Sequence, residues 1–283
     1  MKKGIGIDVL GNIAIVKFPR EFGKIKRKKF SEKFLKEHKS VRTILEKIGK
    51  FKGRLRKQET KFIAGEKTKE ILYRENNCVF RFNADSTYFS PRLSNERKEI
   101  SKFVKKGDNV LIMFAGVAPF SIVIARNSRA KKVFSVEINK EATKYARQNV
   151  ELNKLKDRVK VIQGDVKKFA KKLSLHQFPT RPLKKNRNKI KKDFLDIPSK
   201  FDFIVMPRPK LKDNFLKEAF MLSKKGTRIF YYDFCSVEEM EKIKDKIILE
   251  AKKSGKKIKI LGIKNAGDIG AYRFRVRVDF VVN

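Results

Sequence analysis

The sequence predicts an α/β fold, a Rossmann-like, doubly wound seven-strand sheet over residues 86–283, preceded by a small α+β domain over residues 1–85. Three observations lead there. From about residue 98, short apolar runs alternate with helical patterns, the signature of strands connected by crossover helices. A turn containing Gly116 follows the first of these strands and opens a helix, as nucleotide-binding folds require. The first 85 residues lack this alternation and read as strand pairs around one helix.

In the first unit, Ile5, Ile7 and Val9 alternate with small or polar residues, Gly11-Asn12 makes a turn, and residues 13–18 form a second strand. Ser31 is the expected N-cap of a helix through Phe34, Leu35 and His38. Residues 48–51 and 61–64 are short strand pieces, and residues 71–82 form a hairpin around Glu75-Asn76-Asn77. In the second unit, strands are expected at 109–113, 132–136, 159–162, 203–206, 227–232, 257–263 and 272–282. Helices fit at 140–152, with Asn149 and Asn153 on its surface, and at 211–222 and 237–253. The last strand sets Tyr272, Phe274, Val276, Val278 and Phe280 on one side and Arg273, Arg275, Arg277 and Asp279 on the other. That alternation predicts an edge or antiparallel strand with one wet face. A seven-strand sheet ending in an antiparallel hairpin is the plan of class I methyltransferases. Residues 170–200 interrupt the rhythm with a block, 184–192, of six basic residues in nine, read equally as a solvated insertion or as a phosphate-binding arm.

Composition narrows the chemistry. The chain carries 72 Lys and Arg against 31 Asp and Glu, a net charge of +41. Such a surface binds polyphosphate by counterion release, so nucleic acid is the expected partner, ahead of a mere solubility or thermophile bias. No apolar run is long enough to cross a membrane and no signal peptide is present, so a cytoplasmic location is expected. Cys78 and Cys235 lie far apart, which argues against a disulfide framework or zinc site, and two histidines, His38 and His176, exclude a histidine-rich metal centre.

The cofactor signal is a constellation. Gly116 lies in the strand-to-helix turn and Pro119 suits the first turn of the helix. Glu137 ends the second strand, where a carboxylate accepts hydrogen bonds from both ribose hydroxyls of an adenosine. Asp165 follows the third strand, where it either meets the adenine amino group or caps a helix. A single glycine turn is weak, and Glu137 alone does not separate NAD from S-adenosylmethionine. The pyrophosphate pattern Gly-x-Gly-x-x-Gly is absent, so Gly116-Val117-Ala118-Pro119 favours the sulfonium cofactor, S-adenosylmethionine.

Residues 88–97, Tyr-Phe-Ser-Pro-Arg-Leu-Ser-Asn-Glu-Arg, and 113–121, Met-Phe-Ala-Gly-Val-Ala-Pro-Phe-Ser, occur in an order and spacing that resembles the archaeal and eukaryotic tRNA (guanine-37-N1)-methyltransferases. The resemblance runs from about Ile5 to the end and includes Gly53-x-x-Arg56-x-x-Glu59. It implies methyl transfer from S-adenosylmethionine to N1 of the guanine 3′ to the anticodon. It makes Glu96 the general base for the N1 proton, has Arg56 stabilise charge on O6, and has Arg92 and Arg97 organise the site. Tyr88, Phe114, Ala115, Gly116, Val117, Glu137, Ile138, Asp165, Val166 and Met206 would hold the cofactor, and Pro207, Arg208 and Pro209 the target base. The roles agree with elementary chemistry: guanine N1 is a poor nucleophile while protonated, a carboxylate in reach removes that proton, and a fixed guanidinium stabilises the charge left on O6. Phe89 and Pro207 could flank a base drawn out of its stack. The implied partner is the tRNA anticodon stem-loop, met by a monomeric, non-membrane protein.

The chain departs from that pattern. Ile112 stands where an acidic residue is usual, Ala118 replaces a glycine, and Pro207 replaces an asparagine that would hold the base edge. The chain begins where the relatives' middle domain begins, so their elbow-inspecting N-terminal domain is expected to be absent, with looser checking of overall tRNA shape. Competing readings are methylation of the tricyclic wyosine precursor 4-demethylwyosine at the same nucleotide, aminocarboxypropyl transfer from the same cofactor, a noncatalytic RNA-binding protein and a DNA methyltransferase.

Overall fold

The computed structural model describes residues 4–53, 55, 57–175, 196–207, 213–270 and 272–283. The first unit is a four-stranded sheet of order β1-β2-β3-β4, built from β1 (Gly6–Leu10), β2 (Ile13–Lys17), β3 (Thr43–Lys52) and β4 (Lys57–Gly65). Residues 48–51 and 61–64 thus belong to longer strands. Strands β2 and β3 are parallel, joined through helix α1 (Lys24–Glu37), while the outer pairs are antiparallel. Helix α1 starts at Lys24, with Gly23 at its N-cap, and Ser31 lies buried inside it. The straight-chain Lys and Arg of its first turns are good helix formers and extend it beyond the expected cap. Ser31 Oγ has no hydrogen-bond partner among the described residues.

The hairpin of β5 (Glu70–Glu75) and β6 (Cys78–Asn83) turns at Asn76 and Asn77, with φ of 47° and 61°. Asparagine tolerates this left-handed geometry, which matches strand twist in a tight hairpin. An isolated hairpin is marginal in water. Here it is docked by helix α4 (Lys140–Leu152) and the residue after it. Asn149 and Asn153 are buried, not on the surface. Asn153 Oδ1 accepts from Val79 N (2.9 Å) and its Nδ2 donates to Val79 O (2.6 Å). Asn149 makes the same pair with Arg81 N (2.7 Å) and Arg81 O (3.0 Å). Four residues apart on one helix face, the two amides imitate a peptide strand against the edge of β6. Asn149 Nδ2 also donates to Val117 O (3.1 Å), tying the hairpin to the glycine turn. Asn149→Leu would leave Arg81 N, Arg81 O and the buried Val117 O without this partner, and we expect a loss of about 1–3 kcal/mol in chemical denaturation.

The large sheet has the order β12-β13-β11-β10-β7-β8-β9. Its strands are β7 (Asn109–Met113), β8 (Lys132–Glu137), β9 (Val159–Gln163), β10 (Phe201–Met206), β11 (Ser223–Cys235), β12 (Ile258–Gly270) and β13 (Arg273–Val282). The five strands β7 to β11 are parallel, and β13 runs antiparallel between β11 and β12. On one face, Val110 and Ile112 pack under α2 (Ser94–Phe103), α3 (Pro119–Asn127) and α4. On the other, Leu111 and Met113 meet α5 (Val166–Leu175), α6 (Leu216–Met221) and α7 (Met240–Lys253). Residues 237–239, read as helix from sequence, are a 3-10 turn with a Ser236–Glu239 capping box. The first core is continuous with Ile13, Ile15 and Leu45 of the small sheet through Ile71, Phe80 and Phe82 of the hairpin.

Strand β13 is antiparallel to both neighbours, as the alternation allowed, and interior to the sheet. The expected wet face fails: Arg273 is exposed, but Arg275, Arg277 and Asp279 are buried. Helix α2 brings Glu96 and Glu99 onto Arg277. The basic block at 184–192 lies outside the described residues. Among the described residues, no helix is long and apolar enough to cross a membrane.

Candidate active site

The strand order reverses between β7 and β10, and ligands of such sheets collect beyond the carboxyl ends of the strands at that point. The Gly116 turn leaves β7 there. Phe114, Gly116 and Ala118 all have positive φ (59°, 57° and 67°), so the chain coils tightly and presents its backbone to the crevice. Gly116 N donates to Glu137 Oε2 and Asn139 N to Glu137 Oε1, both at 2.7 Å. These two donors fix the plane of a carboxylate that has about four acceptor directions. A Cβ on Gly116 would stand 3.5 Å from the Tyr88 carbonyl oxygen, so the 88–97 segment meets the turn at its first residue. A buried, oriented carboxylate beside a coiled glycine turn fits an adenosine-bearing cofactor. Ile138 follows Glu137, Val166 opens α5, and Met206 ends β10 with half-buried Pro207 next in the chain. Asp165 Oδ1 accepts from Lys167 N (2.8 Å), so this residue caps α5. Phe114 makes an edge contact with Phe215 at 4.9 Å.

Ile112 is fully buried in the apolar core and brings no charge to the methionine end of a cofactor. Ala118 carries a left-handed backbone that costs a Cβ-bearing residue roughly 1–2 kcal/mol. Ala118→Gly should relieve this strain, partly offset by unfolded-chain entropy, and raise stability by up to about 1 kcal/mol in a melting experiment.

The two charged residues that begin α2 point to different places. Arg97, 1% exposed, forms a bidentate pair with Glu75 (Nε–Oε1 2.5 Å, Nη2–Oε2 2.6 Å) and donates to Ser90 O (3.0 Å). Its guanidinium also lies 5.2 Å from the Phe89 ring centre and 5.5 Å from that of Phe120. It therefore positions the motif segment. Glu96, 6% exposed, faces the sheet. Its Oε2 accepts from Tyr232 Oη and from Arg277 Nη1, each at 2.8 Å, and its Oε1 pairs with Lys264 Nζ at 2.8 Å. Arg277 also donates to Glu99 (2.8 Å) and Asp279 (2.6 Å), Lys264 also pairs with Glu99, and Arg228 pairs with Asp279 at 3.1 Å. Burial and the neighbouring Glu96 push the Tyr232 hydroxyl well above its ordinary range. Burial works to lower the Lys264 ammonium, but its contacts with Glu96 and Glu99 outweigh that and raise it. Sequence reasoning missed Tyr232, Lys264, Glu99 and Arg277. An i, i+3 acid pair on α2 was the one local signal.

A cavity of about 670 Å³ opens between the two units, walled by Tyr88, Pro91 and Arg92 of the motif, Asp8 and Leu10 of β1, and Phe234 at the end of β11. Arg92 is exposed there and donates to Asp268 O at 3.2 Å. Phe89 also lines the cavity, but its ring is engaged by Phe82 at 4.7 Å and Tyr73 at 5.0 Å, so it is a core ring more than a stacking platform. Arg56, Arg208 and Pro209 lie outside the described residues. Among those described, no group of three or more His, Cys, Asp or Glu could hold a metal ion.

The motif segment and the turn fall within residues 71–178, the span matched by the model of the TRM5/TYW2 methyltransferase domain. Over 96% of its length the chain is 34% identical to the tRNA (guanine(37)-N(1))/4-demethylwyosine(37)-methyltransferase Taw22 of Nanoarchaeum equitans, covering 98% of that protein. The crystal structure of Trm5b from Pyrococcus abyssi superposes with a TM-score of 0.78 at 32% identity, over 98% of this chain and 75% of that one. A complex of aTrm5 with tRNALeu gives the same TM-score at 25% identity, over 98% of this chain and 72% of that one. Near-complete coverage at this identity extends the kinship well beyond the matched domain, and the chain belongs to the TRM5/TYW2 methyltransferase family.

Proposed function

We propose that this protein is an S-adenosylmethionine-dependent tRNA methyltransferase acting on N1 of guanine 37, beside the anticodon. The observation that carries the reading is the approach of the Tyr88 backbone, at the head of the 88–97 motif, to the Gly116–Glu137 clasp. Glu137 would hold the ribose and the 114–117 turn the methionine end, with Tyr88, Ile138, Asp165, Val166 and Met206 around the remainder. The cofactor supplies an electrophilic methyl group. Glu96 accepts the N1 proton, and Arg92 and Arg56 supply positive charge toward the base. The neighbouring cavity has room for a nucleotide, and a charge of +41 supports a grip on the anticodon stem-loop. The reading includes a monomeric, cytoplasmic enzyme in which residues 1–85 help seat the loop.

The test is mass spectrometry of nucleosides from unmodified tRNA incubated with protein and S-adenosylmethionine. 1-Methylguanosine at position 37 is expected, and tRNA that gains no methyl group there would refute the proposal. A second reading, methylation of 4-demethylwyosine at the same nucleotide, is favoured by the cavity's size and by Pro207, which brings no side-chain hydrogen-bond donor to a base edge. A tRNA bearing that tricycle should then gain one methyl mass in the same assay.

A further inference from the structure

Glu96 sits at the buried end of a cluster in which three carboxylates, Glu96, Glu99 and Asp279, face three cations, Arg277, Lys264 and Arg228. The groups come from every element packed there: α2, and strands β11, β12 and β13. Tyr232 adds a hydroxyl that donates to Glu96. With three charges of each sign the cluster is neutral, which is how a buried ionic network avoids a large desolvation cost. Its members are not equally fixed. The Arg277 side chain is 4% exposed and holds Glu96, Glu99 and Asp279 at once, whereas that of Lys264, on the edge strand β12, is 38% exposed.

As described, Glu96 is crowded: Tyr232 and Arg277 occupy Oε2, and the Lys264 ammonium takes one of the two acceptor directions of Oε1 and stands at the other. We infer that Tyr232 and Arg277 are positioning residues that hold Glu96, and that Lys264 is an exchangeable cation whose departure from Oε1 opens Glu96 to the substrate proton. The inference rests on the reading of Glu96 as the base. The bookkeeping of the step closes. The N1–H bond breaks and its proton passes to Oε1, the N1 electron pair forms the bond to the methyl carbon, and the carbon–sulfur bond breaks with its pair kept by the departing thioether. Neutralising Glu96 leaves one surplus positive charge in the cluster, and Lys264 is the member that can turn that charge toward water. Glu99, the second partner of Lys264, retains the ammonium as it swings away.

The contacts with Glu96 and Glu99 that raise the Lys264 ammonium are the ones that must part when Oε1 opens, so Lys264 should shape the pH dependence of the reaction. The test is single-turnover methyl transfer to a tRNA transcript with guanine at position 37, measured from pH 5 to 9 for the wild type, Lys264→Met, Lys264→Arg, Arg277→Lys and Glu96→Gln. The acid limb of the rate profile should move up by about one pH unit in Lys264→Met and stay near the wild-type limb in Lys264→Arg. Arg277→Lys should lower the plateau rate by at least about tenfold, because a single ammonium cannot replace a guanidinium fork on three carboxylates. If Glu96→Gln is as fast as the wild type, the base assignment fails. If Glu96→Gln is slow but the Lys264→Met profile overlays the wild type, the exchange inference alone is overturned. Should Lys264→Met prove unstable, Lys264→Gln gives the same reading with a polar replacement.

Discussion

Arg97→Ala is expected to be the most destabilising single substitution in the motif, lowering stability by about 3–5 kcal/mol and the melting temperature by roughly 10 °C. The pair with Glu75 is almost entirely shielded from water, with side chains 1% and 3% exposed. Removing the guanidinium leaves a buried carboxylate without its partner, frees the Ser90 carbonyl and empties the space between Phe89 and Phe120. The effect should reach function indirectly, because Ser90 anchors the segment that carries Tyr88 and Arg92. The companion double variant Arg97→Met, Glu75→Leu removes both charges together and should recover most of the lost stability, since matched apolar replacements of buried pairs are often neutral. Calorimetric melting of the three proteins decides the matter: a loss below about 1 kcal/mol in Arg97→Ala would mean the pair is a passenger.

Glu96→Gln is expected to slow methyl transfer by about 10²–10⁴-fold, the usual range for loss of a general base. The amide keeps the size of the side chain and an acceptor for Tyr232, but it cannot take up the N1 proton. One amide NH₂ must also confront Arg277 or Lys264, which adds a stability loss of about 1–3 kcal/mol. Rate and stability must therefore be measured together, with cofactor binding by calorimetry as the third reading. Slow transfer with intact folding and intact cofactor affinity assigns Glu96 to proton removal. Loss of all three would assign it to scaffolding instead.

The methyltransferase sheet was legible because its strands are short apolar runs set at crossover spacing, and the turn at Gly116 and the acid at Glu137 announced the crevice. The hairpin was legible because Asn76-Asn77 is itself a turn signal. What stayed hidden was pairing between distant segments. Arg275, Arg277 and Asp279 alternate with apolar residues just as a solvated strand face would, and only the arrival of α2, about 180 residues earlier in the chain, reveals that face as interior. Asn149 and Asn153 look like polar residues on an ordinary helix because the strand edge they serve is some 70 residues away. The start of α1 was misplaced for the opposite reason: Ser31 carries a strong local cap preference, which the helix-forming Lys and Arg before it overrode. A buried polar residue and an exposed one share one letter, and the difference lies in what folds over it.

The hairpin has a further consequence. Its other margin, β5, is also met by an asparagine: Asn12 Oδ1 accepts from Leu72 N (2.7 Å) and its Nδ2 donates to Glu70 O (3.2 Å), while Gly11 sits so near Leu72 that any Cβ would strike its carbonyl. A two-stranded ribbon normally displays two bare backbone rims that invite foreign strands to add on. Here carboxamides imitate the missing neighbours on both sides, so the ribbon offers little template for edge-to-edge aggregation.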